Sequence, residues 1–233
     1  MGLLQGILDL RFPPKCVFCR DILLQRRAHF CAACGDSLPF CSDETASQSG
    51  DFYVSCVTPL FYEAQVKDSV HRYKFQHARG YRRTYAALMA ACIEEQITQP
   101  FDFITWAPVS KKRLRKRGYD QAEILAKELA SYLGKPCMRT LRKVRNAPPQ
   151  SSLEGGRDAR RANIAGAYEV LNPALVAGKR VLLVDDVLTT GSTLSECSRM
   201  LLLAGADEIF CAALARAPIW EPANLEEKVI ATV

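Results

Sequence analysis

Hydrophobic and polar positions along this chain follow two periods, and the chain switches between them repeatedly. YVSCVTPLFY (53–62) reads as a strand, and YRRTYAALMAACIEEQI (81–97) as a helix with an apolar stripe. FDFITWAPV (101–109) reads as a buried strand. QAEILAKELASYLG (121–134) reads as a second helix, closed by Gly134 with Pro136 beyond it. KRVLLVDDV (179–187) is a strongly apolar strand, STLSECSRMLLLAGA (192–206) a helix ending at Gly205, and EIFCAALAR (208–216) another strand. Strands that alternate with helices of about 14 residues predict parallel βαβ units, hence an α/β fold with a doubly wound, mainly parallel sheet.

Upstream the pattern changes. Residues 1–10 place Leu3, Leu4, Ile7, Leu8 and Leu10 at near-helical spacing, which predicts a short amphipathic helix ended by Pro13 and Pro14. A cysteine-rich stretch runs to about residue 41, followed by the polar, loop-like SDETASQSGD (42–51). This predicts a small N-terminal module over 1–50 and a main domain over 51–233. Within the main domain, RKVRNAPPQSSLEGGRDARR (142–161) is a basic interruption rich in Pro, Gly and Ser. Unstructured stretches of that length in a compact domain usually serve as lids or binding loops.

Composition narrows the class. The 233 residues are 48% hydrophobic and 24% charged, with a formal net charge of +6, which suits a globular domain and excludes disorder along the whole chain. No stretch reaches the roughly 18 continuous apolar residues that a membrane helix needs, so membrane insertion is not expected. The first residues, MGLLQGILDLRFPP, lack a basic leading region and a cleavage pattern, and Gly6 stands where a myristoylation signal needs Ser or Thr. A cytoplasmic protein is expected.

In a reducing compartment the ten cysteines do not read as a disulfide framework. Cys56, Cys92, Cys137, Cys197 and Cys211 are scattered among apolar neighbours and read as small hydrophobes. Cys16-Val-Phe-Cys19 and Cys31-Ala-Ala-Cys34 are different: two CxxC pairs, 11 residues apart. Each pair can turn two thiolates toward one ion, and two pairs complete a tetrahedron. A structural Zn²⁺ on Cys16, Cys19, Cys31 and Cys34 is expected, with Cys41 and His29 as spare ligands. Four thiolates leave no open position, so such an ion would hold the fold and catalyse nothing.

The most informative chemistry is in VLLVDDVLTTGSTL (181–194). An apolar strand delivers Asp185 and Asp186, and Thr189-Thr190-Gly191-Ser192-Thr193 then leads into a helix. A glycine-containing turn before a helix exposes backbone N–H groups toward partial positive charge, and the hydroxyls add donors, which suits a phosphate monoester. The carboxylates, acceptors only, suit sugar hydroxyls or a hydrated Mg²⁺. Successive strand residues face opposite ways, so the pair can serve one ligand only where the chain is leaving the strand. Open α/β sheets bind ligands at this carboxyl edge. A Walker P-loop is excluded, because no Lys precedes the hydroxyls.

This segment resembles the phosphoribosyl-pyrophosphate (PRPP) motif of type I phosphoribosyltransferases. The likeness extends along nearly the whole chain to the ComF family of phosphoribosyltransferase-like proteins, some of them associated with DNA uptake and natural competence. It rests on the double CxxC, Tyr73-Lys74-Phe75, Ala107-Pro108-Val109-Ser110, Arg117-Gly118-Tyr119-Asp120-Gln121, Gln150 with Leu153, and Arg160 to Asn163, all in the family's order. Asp120 stands where Asn is commoner, and Ala107-Pro108-Val109 departs from the usual Val-Pro start.

The resemblance implies a type I phosphoribosyltransferase fold with a four-cysteine zinc module. It implies Asp185 and Asp186 on the ribose 2′- and 3′-hydroxyls, and Thr189, Thr190, Gly191, Ser192 and Thr193 on the 5′-phosphate. Val109, Ser110 and Lys111 would form the pyrophosphate loop. The 142–161 segment would close over it, with Arg142, Arg145, Arg157, Arg160 or Arg161 in contact, and keep water from a transition state of oxocarbenium character. The reaction would displace pyrophosphate from C1 of PRPP, with Mg²⁺, by a nitrogenous acceptor. No dedicated nucleophile is implied; catalysis at Asp185 and Asp186 would rest on positioning and charge stabilisation.

The run KKRLRKR (111–117) carries six basic residues in seven. It reads three ways: a solvated face, a pyrophosphate attractor through Lys111, or a single-stranded nucleic-acid contact through Arg113, Arg115 and Arg117. Three functions stay open at this point: a phosphoribosyltransferase, a non-catalytic PRPP sensor working with DNA-handling partners in transformation, and a zinc-ribbon nucleic-acid protein. The intact acidic pair and hydroxyl loop count against the third.

Overall fold

The computed structural model describes residues 13–23, 25, 29–145 and 164–218. The expected helix over 1–10 lies outside them, as does most of the 142–161 segment. In chain order the described elements are helix α1 (Ala32–Ser37), the helical turn α2 (Asp43–Ala46), strands β1 (Ser47–Gly50), β2 (Tyr53–Val57) and β3 (Leu60–Phe61), and helices α3 (Ala64–Phe75) and α4 (Arg82–Gln96). Strand β4 (Phe103–Trp106), helices α5 (Lys111–Arg117) and α6 (Gln121–Leu133), and strands β5 (Leu141–Lys143) and β6 (Tyr168–Val170) follow. The last three are β7 (Arg180–Leu188), α7 (Ser192–Leu203) and β8 (Glu208–Arg216).

The main sheet runs β1-β2-β8-β7-β4, with β3 also pairing β8, and every pairing is parallel except β1 with β2. Strands β7 and β8 are buried on both faces over residues 181–184 and 209–216, as parallel sheets require, and their side chains alternate between two cores. Leu182, Val184, Phe210, Ala212 and Leu214 face a core shared with α3, α4 and α6. Val181, Leu183, Ile209, Cys211 and Ala213 face a second core shared with α7 and the β5–β6 hairpin. Helices on both faces make this the doubly wound sheet that the alternating pattern predicts.

Several elements differ from their sequence reading. The 53–62 strand breaks into β2 and β3 around Thr58-Pro59, since proline cannot donate to a ladder. The 42–51 stretch, expected as loop, forms α2 and the edge strand β1. Residues 16–38 contribute Cys16, Val17, Phe18, Leu23, Cys34 and Leu38 to the same core as α3, α4 and α6. Arg72 ties this region down by donating to the carbonyls of Val17, at 3.0 Å, and Phe18, at 2.5 Å. Among the described residues no helix is long and apolar enough to cross a membrane.

Candidate functional site

Strand β7 is fully buried through Val184 and opens at Asp185. The ladder with β4 ends at Trp106 opposite Val184, where the Ala107 N–H donates to the Val184 carbonyl at 2.9 Å. Pairing with β8 continues to Leu188. Both carboxylates therefore lie inside a strand laddered on its β8 side, near its carboxyl end as the 179–187 reading placed them. They point to opposite faces, and each has its own set of neighbours.

Asp186 meets Lys74, whose Nζ is 2.7 Å from Oδ1, with both side chains under one-fifth exposed. The last turn of α3 is held in place by the Tyr73 hydroxyl donating to the Gln121 carbonyl at 3.0 Å. In return the Tyr119 hydroxyl donates to the Tyr73 carbonyl, and Gln121 Nε2 donates to the Lys74 carbonyl at 3.3 Å. The Tyr73-Lys74-Phe75 and 117–121 segments thus interlock, and of their side chains Lys74 is the one turned to the acidic pair.

Asp185 faces the side of α7 and the β5–β6 hairpin. Lys143 donates to the Tyr168 hydroxyl at 2.9 Å with its ammonium 4.7 Å from that ring's centre, and Tyr168 is also within hydrogen-bonding reach of Thr193. Burial, together with the charge of Arg113, lowers the pKa of Lys143. Burial first, and then the negative charge of Asp186, push the Asp185 carboxyl up to about 7. The Asp186 N–H donates to Asp185 Oδ1 at 2.8 Å and offsets part of that cost.

After Leu188 the chain turns into α7 through Gly191, which has φ +74° and ψ −4°. That left-handed conformation explains the glycine. Among the described residues no side chain caps this 12-residue helix, so its first N–H groups remain directed at the recess lined by Asp185 and Val187–Leu194. Thr190 Oγ1 and Ser192 Oγ are 2.8 Å apart across the turn. All five hydroxyl and glycine positions expected on a phosphate line that recess.

Val109 and Ser110 follow β4 at the same carboxyl edge, with Lys111 opening α5. Asp120 fixes this turn: its Oδ2 accepts from the Val109 N–H at 2.9 Å, while Oδ1 caps α6 by accepting from Ala122 N–H at 3.1 Å and Glu123 N–H at 3.3 Å. The sequence marked Asp120 only as a departure from the family pattern. Its role depends on two segments meeting.

The basic run forms α5, capped by Ser110 at its start and by Gly118, at φ +77°, at its end. Lys111, Lys112, Arg113, Arg115 and Lys116 are all exposed. Arg117 is instead engaged, donating to Gln121 Oε1 at 2.9 Å with its guanidinium 4.7 Å from the Phe75 ring centre. Arg142 pairs with Glu169 at 2.6 Å on the opposite side of β5 from Lys143. Arg157 and Arg160 lie outside the described residues. Lys143 and Tyr168 were missed by sequence reasoning, because β5 and β6 pair across 25 to 29 positions and carry no local signal.

At the amino-terminal end, the sulfurs of Cys16, Cys19, Cys31 and Cys34 all lie within 4.8 Å of one another, with Cys19 and Cys31 3.5 Å apart. Tetrahedral thiolates at ~2.3 Å from an ion sit roughly 3.8 Å apart, so this cluster has the dimensions of a four-thiolate metal site. The first pair is carried on the Val17–Cys19 turn, closed by Arg20 N–H to the Cys16 carbonyl at 3.0 Å, and Asp21 N–H donates to Cys19 Sγ at 3.4 Å. Cys31 is the N-cap of α1 and Cys34 lies one turn on. Neither Cys41 nor His29 belongs to the cluster.

A mainly parallel sheet whose strand β7 carries an acidic pair near its carboxyl end leads through a hydroxyl-rich turn into a helix, and a family model described as a phosphoribosyl transferase domain matches residues 119–228. Along 226 residues, 87% of this chain and 97% of its counterpart, the sequence is 29% identical to competence protein F of Haemophilus influenzae. DNA utilization protein YhgH of Salmonella typhimurium is 32% identical over 59% of this chain and 61% of its own. Among solved structures, a glutamine PRPP amidotransferase from B. subtilis shares 20% identity over 61% of this chain and 30% of that chain, with a TM-score of 0.40. The chain thus carries a match to the phosphoribosyl transferase domain, is similar to competence protein F over nearly its whole length, and has a four-cysteine cluster near its amino-terminal end.

Proposed function

We propose that this protein binds PRPP with Mg²⁺ and transfers its phosphoribosyl group to a nitrogenous acceptor. The observation that carries this reading is that Asp185 and the whole 189–193 turn line one recess at the start of α7, with Asp186 next to Asp185 in the strand and held by Lys74. In it, the ribose hydroxyls donate to the two carboxylates and the 5′-phosphate accepts from the turn and the first N–H groups of α7. Val109, Ser110 and Lys111, held by Asp120, face the pyrophosphate, with Lys143 and Arg113 adding positive charge on the Asp185 side. Mg²⁺, when bound, offsets the charge of the pyrophosphate leaving group; carboxylate and phosphate oxygens are the hard donors it prefers. The acceptor nitrogen forms a bond to C1, the C1–oxygen bond breaks with its electron pair going to pyrophosphate, and the acceptor releases a proton. Zn²⁺ occupies the Cys16, Cys19, Cys31 and Cys34 cluster and holds residues 1–50 as a module against the rest of the chain, in a cytoplasmic protein.

Calorimetric titration with PRPP and Mg²⁺, beside ribose 5-phosphate, tests the reading. Saturable binding that disappears in the Asp185→Asn, Asp186→Asn double variant is the expected result; unchanged binding in that variant, or none in the zinc-loaded wild type, overturns it. A second reading is favoured by the five exposed cations of α5. In it the pocket senses PRPP without turnover while α5 contacts single-stranded DNA as an accessory to DNA uptake. Pyrophosphate release in the presence of a panel of nucleobases separates the two.

A further inference from the structure

A polar cleft of about 240 Å³ opens on the far side of the phosphate turn. Its walls are Gln48, Ser49, Gly50, Asp51 and Tyr53 from the β1–β2 hairpin, and Thr190, Gly191 and Ser195 from the turn and first helical residues of α7. Thr190 and Gly191 also line the recess below Asp185, so the two spaces share a wall.

The hairpin is built to approach this turn closely. A Cβ on Gly50 would stand 2.3 Å from the Tyr53 ring, so only glycine lets the ring lie against that backbone. A Cβ on Gly191 would stand 3.5 Å from the Tyr53 hydroxyl. Gln48 is held from behind by Arg216, which is only 4% exposed. Arg216 donates to Gln48 Oε1 at 2.5 Å and to the Thr45 carbonyl at 2.7 Å, while its Nε has no hydrogen-bond partner among the described residues. With Oε1 taken, Gln48 turns its amide N–H groups to the cleft, where they are within hydrogen-bonding reach of the Tyr53 hydroxyl.

The lining selects the chemistry. Among the described residues no Lys or Arg lines the cleft, and Asp51 would repel a second phosphate. Hydroxyls, an amide and a carboxylate instead suit an uncharged group rich in hydroxyls or amino donors. Because the cleft continues from the phosphate turn, that group is attached to the phosphate itself. A phosphodiester keeps two non-bridging oxygens for the turn and directs its ester substituent into the cleft.

Resting on the proposed ribose 5-phosphate site, we infer that the cleft beside Gln48, Ser49, Asp51 and Tyr53 binds a nucleoside esterified to the 5′-phosphate, so that the site accepts a 3′→5′ phosphodiester-linked dinucleotide. The matched probes are adenosine 5′-monophosphate and adenylyl-(3′→5′)-adenosine, which share the same terminal ribose and 5′-phosphate. Calorimetry on the full zinc-loaded chain is expected to show the dinucleotide binding about tenfold more tightly, the worth of one or two well-placed hydrogen bonds. Ser49→Ala with Asp51→Ala is expected to erase that difference and leave the affinity for adenosine 5′-monophosphate and for PRPP unchanged. Equal or weaker binding of the dinucleotide by the wild type overturns the inference while leaving the PRPP site intact. Failure of PRPP, the monophosphate and the dinucleotide alike overturns the site and the inference together. An advantage that survives in the double variant assigns it to contacts outside the cleft and overturns the inference as well.

Discussion

Asp185 is held at a cost to the fold, and replacing it by Asn should expose that cost with a definite sign. Its carboxyl is raised to about 7 by burial and by Asp186, whereas an unfolded chain returns it to about 3.9. Between those values the folded state holds a proton that the unfolded state has released. Folding stability therefore falls as pH rises through that window, and the loss is complete only above the folded pKa. Raising the carboxyl to about 7 makes that loss on the order of 2 kcal/mol between pH 5 and pH 8, reduced by whatever solvent reaches the carboxylate.

An asparagine side chain at this position has nearly the same shape and keeps an oxygen for the Asp186 N–H, so the substitution removes the titration and little else. Urea melts of wild type and Asp185→Asn at pH 5, 6, 7 and 8 supply the comparison. The variant should become progressively more stable than wild type as pH rises, by about 2 kcal/mol across the series, with an unchanged m-value. The same variant should lose PRPP. A stability difference that stays flat with pH, or that favours wild type more strongly at pH 8, would refute the assignment of a strained carboxylate at this position.

Three further outcomes test other parts of the structure. Cys34→Ser should lower metal content from one zinc per chain and reduce the melting temperature, read by metal analysis and a thermal scan, because Cys34 is both a cluster sulfur and a buried core residue. Asp120→Asn places an amide NH₂ or a single oxygen where Val109, Ala122 and Glu123 all donate, so a loss of about 1–2 kcal/mol is expected. On the proposed reading, in which the turn it fixes contacts the pyrophosphate, PRPP affinity should then fall while ribose 5-phosphate affinity holds. Replacing Lys112, Arg113, Arg115 and Lys116 together by Ala should leave the melting temperature within a few degrees of wild type, because all four are exposed. It should also flatten the salt dependence of single-stranded DNA binding by gel shift, and an unaltered slope removes α5 from any nucleic-acid surface.

The elements legible in the sequence are those whose pattern is complete in one segment. β7, α7, β8 and α6 carry dense apolar periodicity and glycine or aspartate caps, and their observed bounds fall close to the expected ones. Helix α3 was missed although Val66, Ser69, Val70 and Tyr73 form its buried stripe. Ser69 sits in that stripe as a polar residue, with its hydroxyl 2.6 Å from both the Val17 carbonyl and the Tyr85 hydroxyl, partners 52 and 16 positions away. Helix α5 has no apolar face, and only its caps, Ser110 and Gly118, mark it. The double CxxC was legible because the ligand chemistry itself fixes the spacing, while Arg117 shows the limit: it belongs to the basic run by sequence and to a packed interface by structure.

The same distinction runs through the acidic pair. Sequence places Asp185 and Asp186 side by side, and the strand then sends them to opposite faces. Asp186 has its charge answered by Lys74, delivered by α3 and locked by the 117–121 segment. Asp185 faces buried Cys197, Tyr168 and Lys143 without a direct cationic partner among the described residues, and burial pushes its carboxyl upward. Asp185, raised to about 7, is thus poised to release its proton when a ligand's hydroxyl or a metal ion arrives. Binding should therefore release protons near pH 7, so calorimetric enthalpies measured in phosphate and in Tris should differ in proportion to the buffers' ionisation heats. A site with both carboxylates already ionised would show no such difference.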